Sequence, residues 1–261
     1  MNTMVSQTDE RTISVHNEHE FLLKMEKAGL TDELAQKVIG SKGNDLATKV
    51  VRLIENGGFE PSTSQKHARQ IMGQNFFGIE EAIKHFRVNP SKAQTAALAE
   101  VPFTEEVLST SKDTHVLVAV FRMSILDIRG KVERKLFYSH EDSWYNKETF
   151  AGDKGVIGWR LVRKTPVPDS TSKNWDEQQA LLDKSEETPS AQVMVYTIIG
   201  HFLAIGERLF EELPAVRTSS VGSGGDRVNV GGFDRHGLSV TDWWDDGRRD
   251  GRVGVSSARK S

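Results

Sequence analysis

The chain has 261 residues, 37% of them hydrophobic and 27% charged, and its 34 Lys and Arg against 37 Asp and Glu leave a net charge of −3. That balance fits a folded protein of one large or two ordinary domains, and it excludes wholesale disorder and a basic nucleic-acid coat. With no cysteine in the chain, disulfide scaffolds, Cys-ligated zinc, iron–sulfur clusters and thiol nucleophiles are excluded too.

Residues 1–16 are polar and lack the basic and apolar regions of a secretory signal. The expectation is a disordered N-terminal tail on a cytoplasmic protein, any export then needing a specialised release route. A helical module follows over residues 17–110. Phe21, Leu22 and Met25 form an apolar stripe ended by Gly29, and Thr31 caps a second helix whose Leu34, Ala35, Val38 and Ile39 run to Gly40. Asn44 caps a third, with Leu46, Val50, Leu53 and Ile54 stopped by Asn56-Gly57-Gly58. After a polar loop around Pro61, Ile79, Ala82, Ile83 and Phe86 mark another helix, and Pro90 to Glu100 reads as one more with Pro in its first turn. Between Asn17 and Glu100 eleven Lys and Arg face eleven Asp and Glu. No basic stripe is left for phosphates, so no nucleic-acid partner is expected and the module reads as a docking or oligomerisation element.

Strands begin after Asp113. Thr114 to Phe121 is a continuous apolar, β-branched run of the kind a buried strand needs, and Gly155 to Lys164 is a second candidate. Ser172 or Asn174 can cap a helix through Trp175, Ala180 and Leu182, with Asp176 and Glu177 well placed in its first turn. Pro189 then opens a long apolar helix to about Phe210. Its uncharged stretch, Ala191 to Gly206, is too short to span a membrane and contains Gln192 and His201, so it reads as a buried core helix and no membrane insertion is expected.

Residues 217–261 differ from everything before them, holding nine of the 22 glycines and seven arginines but only one lysine, Lys260. Arginine without lysine, mixed with Trp, Asp and Ser, suits a binding surface, because a planar guanidinium pairs and stacks where an ammonium stays hydrated. Val228 and Val230 flank Asn229, Leu238 and Val240 flank Ser239, and Val253 and Val255 flank Gly254. Such alternation predicts short strands with one buried face, with Gly231-Gly232, Gly237, Gly247 and Gly251 supplying turns. Of the adjacent Trp243 and Trp244 one must then face the core, and Trp243 is read as the exposed one.

The order of elements is a capped helix at Trp175, a helix ending ERLF, a strand VRTSS, a Gly-rich loop, RVNVGGFDRHGLSV, WWDD and a closing GVSSARK. Over residues 113–261 this resembles the C-type lectin fold as bacteria and their phages use it, and it is similar to bacterial proteins sharing the stretch GWRLVRKTPVP and an ARK or SRK ending. The resemblance implies an α+β chain, an N-terminal helical bundle followed by a C-type-lectin-like domain of two helices on a twisted, mostly antiparallel sheet. The terminal segment is similar to the variable region of diversity-generating retroelement target proteins, binders whose exposed positions are rewritten while the interleaved scaffold stays fixed. Carried over, the resemblance makes Val228, Val230, Phe233, Leu238, Val240, Trp244 and Val255 scaffold. It makes Arg235, His236, Thr241, Asp242, Trp243, Asp246, Arg248, Arg249 and Asp250 the ligand-binding face.

Catalytic constellations are not found. His140-Glu141-Asp142 are adjacent in a polar turn before Trp144, where their side chains diverge, and Asp142 reads as a helix cap. Trp244-Asp245-Asp246 faintly echoes a calcium-ligating run of sugar-binding lectins but lacks the partner loop that six to eight oxygens require. The formylglycine-generating oxidases that share the fold work through cysteines, which this chain lacks. Gly222 to Arg227 has neither P-loop spacing nor a following helix, and no nucleophile elbow is present. The expectation is therefore a non-enzymatic ligand-binding protein without metal or cofactor, its partner a protein or a cell-surface glycan. The rival is a structural or assembly protein, intracellular or of phage origin, that uses the same domain for packing. Binding predicts that the arginines from Arg235 to Arg252 are accessible on one side, and packing predicts that they are paired and buried.

Overall fold

The computed structural model describes residues 13–55, 62–138, 142–211 and 214–260. The first twelve residues of the expected tail, the Asn56-Gly57-Gly58 stop, Pro61, His140 and Glu141 lie outside the described residues. The chain is α+β and divides into two compact units, residues 1–60 and 61–261.

In the first unit, α1 (Val15–Lys27) begins at Ser14, whose hydroxyl accepts the Asn17 N–H, so Val15 and His16 belong to a capped helix rather than to a tail. Thr31 caps α2 (Asp32–Ile39) by accepting the Leu34 N–H, and Gly40 closes it. The third helix is α3 (Asp45–Glu55). No residue of α1 or α2 is buried, and Phe21, Leu22, Leu34 and Ile39 are exposed.

The second unit opens with β1 (Thr63–Ser64), α4 (Gln65–Met72), β2 (Phe76–Phe77), α5 (Ile79–Phe86), α6 (Lys92–Ala97), β3 (Glu100–Val101) and α7 (Glu105–Ser111). These elements do not form a separate helical module ending at residue 110. Phe76 and Phe77 pair in parallel with Leu117 and Val118 of β4 (His115–Val120), and Phe77 and Phe86 stack with Tyr196 in the main core. The boundary therefore falls near residue 60. Ser91 caps α6 through a Ser91/Gln94 box, which leaves Pro90 before the helix and not in its first turn.

Next come α8 (Ile125–Lys131), α9 (Thr149–Gly152), β5 (Gly158–Arg163), α10 (Trp175–Gln179), β6 (Glu186–Glu187) and α11 (Ala191–Ile205). The turn at Trp144–Lys147 takes Ser143 as its cap residue and forms no side-chain cap bond, so Asp142 does not cap it. Asn174 caps α10, with Glu177 returning the bond to the Asn174 N–H. Ser190 caps α11, which stops at Ile205 because Gly206 turns left-handed, well before Phe210. This helix is buried on most faces, and Tyr196 donates its hydroxyl to the Ala119 carbonyl at 3.1 Å.

The chain closes with β7 (Ala215–Val221), β8 (Arg227–Asp234), β9 (Gly237–Thr241), β10 (Val253–Val255) and β11 (Ala258–Arg259). Strands divide between two larger sheets where the resemblance implies one. A five-stranded sheet runs β2-β4-β5-β11-β6, and a four-stranded sheet runs β10-β7-β8-β9, each antiparallel except for β2 on β4 and β10 on β7. Val216, Val230 and Val240 lie side by side and turn into the main core, while Arg217, Asn229 and Thr241 share the opposite face. Gly231-Gly232 is not a turn. Both glycines sit inside β8 at positive φ where the register with β9 slips, which makes them a bulge.

Candidate binding surface

Residues 242–252 leave β9 at one edge of the four-stranded sheet and return to β10 at the other. Trp244, Ala215 and Val253 form a small apolar cluster distinct from the main core. Around it the loop is held by one buried cation. Arg217, with no exposed surface, donates from Nη1 to the Lys173 carbonyl at 3.1 Å and Gln178 Oε1 at 2.9 Å. From Nη2 it donates to the carbonyls of Asp245 at 2.9 Å and Arg248 at 2.8 Å. Burial pulls its pKa below the ordinary arginine value, and the carboxylates of Asp246, Asp245 and Asp250 oppose that pull.

Asp250 is the second anchor. Its carboxylate accepts from Arg252 at 2.8 and 3.0 Å, from the Trp244 indole at 3.0 Å and from Arg248 at 3.4 Å. Arg252 above all, together with the Trp244 N–H, holds it well below the ordinary carboxylate range. The third is Glu177, which takes two bonds from Arg249, at 2.8 and 3.0 Å. Those bonds first, and the Asn174 N–H second, hold the Glu177 carboxyl at about 2. Arg227 lies 4.2 Å over the Trp175 ring and reaches Asp246 at 3.3 Å, while the Trp175 N–H donates to the Asp246 carbonyl at 2.8 Å. The N-terminus of α10 is thus the loop's docking partner.

All seven scaffold positions carried over from the resemblance are at most 5% exposed. Trp243 is 70% exposed beside a Trp244 that is 5% exposed, as expected, but the two lie in the loop after β9 and not in a strand: contact with Ala215 and Val253, and the bond to Asp250, turn Trp244 inward. The arginines divide between the two expectations: the side chains of Arg248, Arg249 and Arg252 are 49%, 55% and 59% exposed, yet each is paired with a carboxylate of this chain. They shape the loop more than they offer themselves. Asp250, only 12% exposed, supports the surface from beneath. Trp243 and the half-buried Asp242 form no side-chain hydrogen bond or ion pair among the described residues.

The nine candidate residues do not form one patch. Arg235 and His236 sit at the β8–β9 hairpin tip, where Asp234 pairs with Gly237, whereas Thr241 to Asp250 lie at the other end of β9. A strand of that length holds the two groups roughly 13 Å apart. At the tip Arg235 donates to His236 Nε2 at 3.1 Å and Asp234 accepts the His236 N–H at 2.7 Å.

Arg217 escapes a reading of patterns, because its acceptors are carbonyls on distant segments. Glu177 had a signal, since an Asn174-x-x-Glu177 box fixes where its carboxylate stands. Among the described residues no group of three His, Asp or Glu could hold a metal ion, and no helix is long and apolar enough to cross a membrane. The chain matches no known protein family, no curated protein and no solved structure.

Proposed function

We propose that the protein is a non-enzymatic ligand-binding protein of C-type-lectin type, and that residues 242–252 present its ligand-contacting surface with Trp243 at the centre. The observation that carries this reading is the exposure of Trp243 beside a buried scaffold of Val228, Val230, Val240, Trp244 and Val255, on a loop whose arginines are spent internally. A loop ordered before it meets its ligand loses little entropy on binding, and an exposed Trp on a rigid support is the usual form of a binding hot spot. The antiparallel pairing of β5 with β11, with α10, α11 and the four-stranded sheet between them in sequence, supports the lectin-type assignment.

Under this reading the ligand is a protein or a cell-surface glycan, and the surface is diversified by a retroelement. Sequencing codons 217–261 across a population of the source organism, with a search for a nearby near-copy, tests diversification. The expected result is substitution at Arg235, His236, Asp242, Trp243 and Arg249 with Val228, Val230 and Val240 spared. An invariant segment without a copy overturns it. Screening the intact chain against glycan arrays and a displayed cell-surface protein library tests binding, with Trp243→Ala as the control. Binding to neither collection, or binding that Trp243→Ala leaves unchanged, overturns the assignment of the surface.

A further inference from the structure

A second polar constellation lies apart from residues 242–252, on the five-stranded sheet. His115 on β4 stands directly across from Arg163 on β5. Arg163 sends its own N–H the other way, to the Ser257 carbonyl at 2.9 Å, so the pair is a non-hydrogen-bonded one whose side chains stand close. Arg259 on β11 faces Leu161, the residue two before Arg163, which puts the two guanidinium groups on one face as diagonal neighbours.

The polar accounting here does not close. His115 is 4% exposed, its Nδ1 is 2.8 Å from the Thr114 hydroxyl, and its Nε2 is buried without a partner. The Nε groups of Arg163 and Arg259 and the hydroxyl of Ser111, in the last turn of α7, are likewise buried and unpartnered. Among the described residues neither arginine has a carboxylate within ion-pair distance. Two carboxylates stand by Arg259. Glu186, across from Arg259 on β6, accepts from the Ser257 hydroxyl and the Asp183 N–H. Asp183 bonds the Ser185 N–H and hydroxyl, and Arg259 adds only a smaller pull on it.

Each buried donor without an acceptor costs free energy, and two cations side by side repel. An anion removes both penalties at once. We infer that His115, Arg163 and Arg259 form a binding site for a phosphate group, held between the two guanidinium groups and against the imidazole. Donors on two strands with an imidazole beside them suit a tetrahedral oxyanion, whereas a carboxylate is satisfied by the planar fork of one arginine. Burial first, then Arg163 and Arg259, holds the imidazole neutral with its pKa pushed down to about 4. A phosphate beside it offsets the positive field of the two arginines, so binding raises the imidazole's pKa. The site is independent of the ligand-contacting surface proposed above.

The test is an NMR titration of the intact chain, following the His115 imidazole, with inorganic phosphate and separately with phosphoserine, against acetate and chloride. The expected result is a saturable shift with one or both phosphate compounds and a rise of the His115 pKa by about one unit. Inorganic phosphate alone identifies the free ion, and phosphoserine alone a phosphoryl group on a larger molecule. Arg163→Gln and Arg259→Gln are each expected to weaken binding about tenfold, while Arg122→Gln, an exposed arginine beyond the far end of β4, leaves it unchanged. No saturable shift, or an equal response to acetate or chloride, overturns the site. The titration of the unsubstituted protein decides the matter even where a variant fails to fold.

Discussion

Arg217 Nη2 donates to the main-chain carbonyl of Arg248 at 2.8 Å, across thirty-one residues of sequence, and so places one arginine entirely beneath the backbone of another. The contact turns an eleven-residue excursion between β9 and β10 into an ordered surface. A buried guanidinium whose acceptors are mostly carbonyls is strongly position-specific, because no other side chain presents so many donors in one plane.

Arg217→Met keeps most of the volume and removes every donor, leaving the carbonyls of Asp245 and Arg248 without their partner. The expected loss of stability is about 3 kcal/mol, read by denaturant unfolding, with increased hydrogen exchange confined to residues 244–252. A loss below about 1 kcal/mol would mean that the loop holds itself without this anchor.

The Glu177–Arg249 pair makes the same loop sensitive to acid. The folded pKa of Glu177, about 2, lies below its ordinary value of 4.5, chiefly through the Arg249 bonds. The folded state therefore binds fewer protons than the unfolded one, and the pair's contribution is complete above pH 4.5 and disappears as pH falls towards 2. Hydrogen exchange at residues 245–250 should rise across that window. Glu177→Gln should show the acidic behaviour already at neutral pH; a variant that tracks the parent protein contradicts the role given to this pair.

His115 carries an acid response of its own, at higher pH. Burial, then Arg163 and Arg259, depresses its pKa from 6.5 to about 4 in the folded chain, so the unfolded chain takes up the proton first. Stability is complete above pH 6.5 and falls as pH drops towards 4, by about 3 kcal/mol in all. Unfolding in phosphate-free buffer should show this slope, and His115→Gln should flatten it. An equal slope in both proteins would place the titrating group elsewhere.

How much of this was legible in the sequence follows from what each feature depends on. The strands β8, β9 and β10 were legible because Val228 and Val230, Leu238 and Val240, and Val253 and Val255 recur at a period of two, whereas the Trp243/Trp244 split arises in the loop after β9, where contact with Ala215 and Val253 turns Trp244 inward. Helices α4 and α7 were not, being seven or eight residues long, largely polar and stabilised by caps and packing. The boundary near residue 60 was hidden because residues 61–110 join the rest of the second unit through the two-residue strand β2, too short to show a pattern. The composition of residues 242–252 was visible, but their pairing was not, since Arg249 and Glu177 are seventy-two residues apart.

Gly237 shows how narrowly the hairpin tip is fixed. Its φ of +106° is one that side chains avoid, and a Cβ there would stand 2.5 Å from the Phe137 carbonyl carbon and 2.7 Å from the Tyr138 nitrogen. The neighbours are backbone, pinned by the Tyr138 N–H to Leu238 carbonyl bond at 3.1 Å, so they cannot step aside. Gly237→Ala is expected to cost about 2 kcal/mol or more, whereas Gly224→Ala, which meets only the end of Asp226 at 3.9 Å, should change the melting temperature little. Equal effects would show that the tip yields.

The two tryptophans differ in what the fold asks of them: Trp244 is buried and Trp243 exposed. Trp244 is buried with Ala215 and Val253, and its indole N–H bonds Asp250, so Trp244→Ala removes a small core and one partner of a carboxylate already taken by Arg252. The expected cost is about 3 kcal/mol or more. Trp243 touches the fold mainly through its ring, 6.0 Å from that of Trp244, and is otherwise open to solvent. Trp243→Ala should therefore shift stability by no more than about 0.5 kcal/mol while costing about 2 kcal/mol in affinity for whatever ligand the screens return. The pair of measurements is decisive because it has opposite signatures: a structural role for Trp243 appears as lost stability in the free protein, and a recognition role appears only when ligand is added.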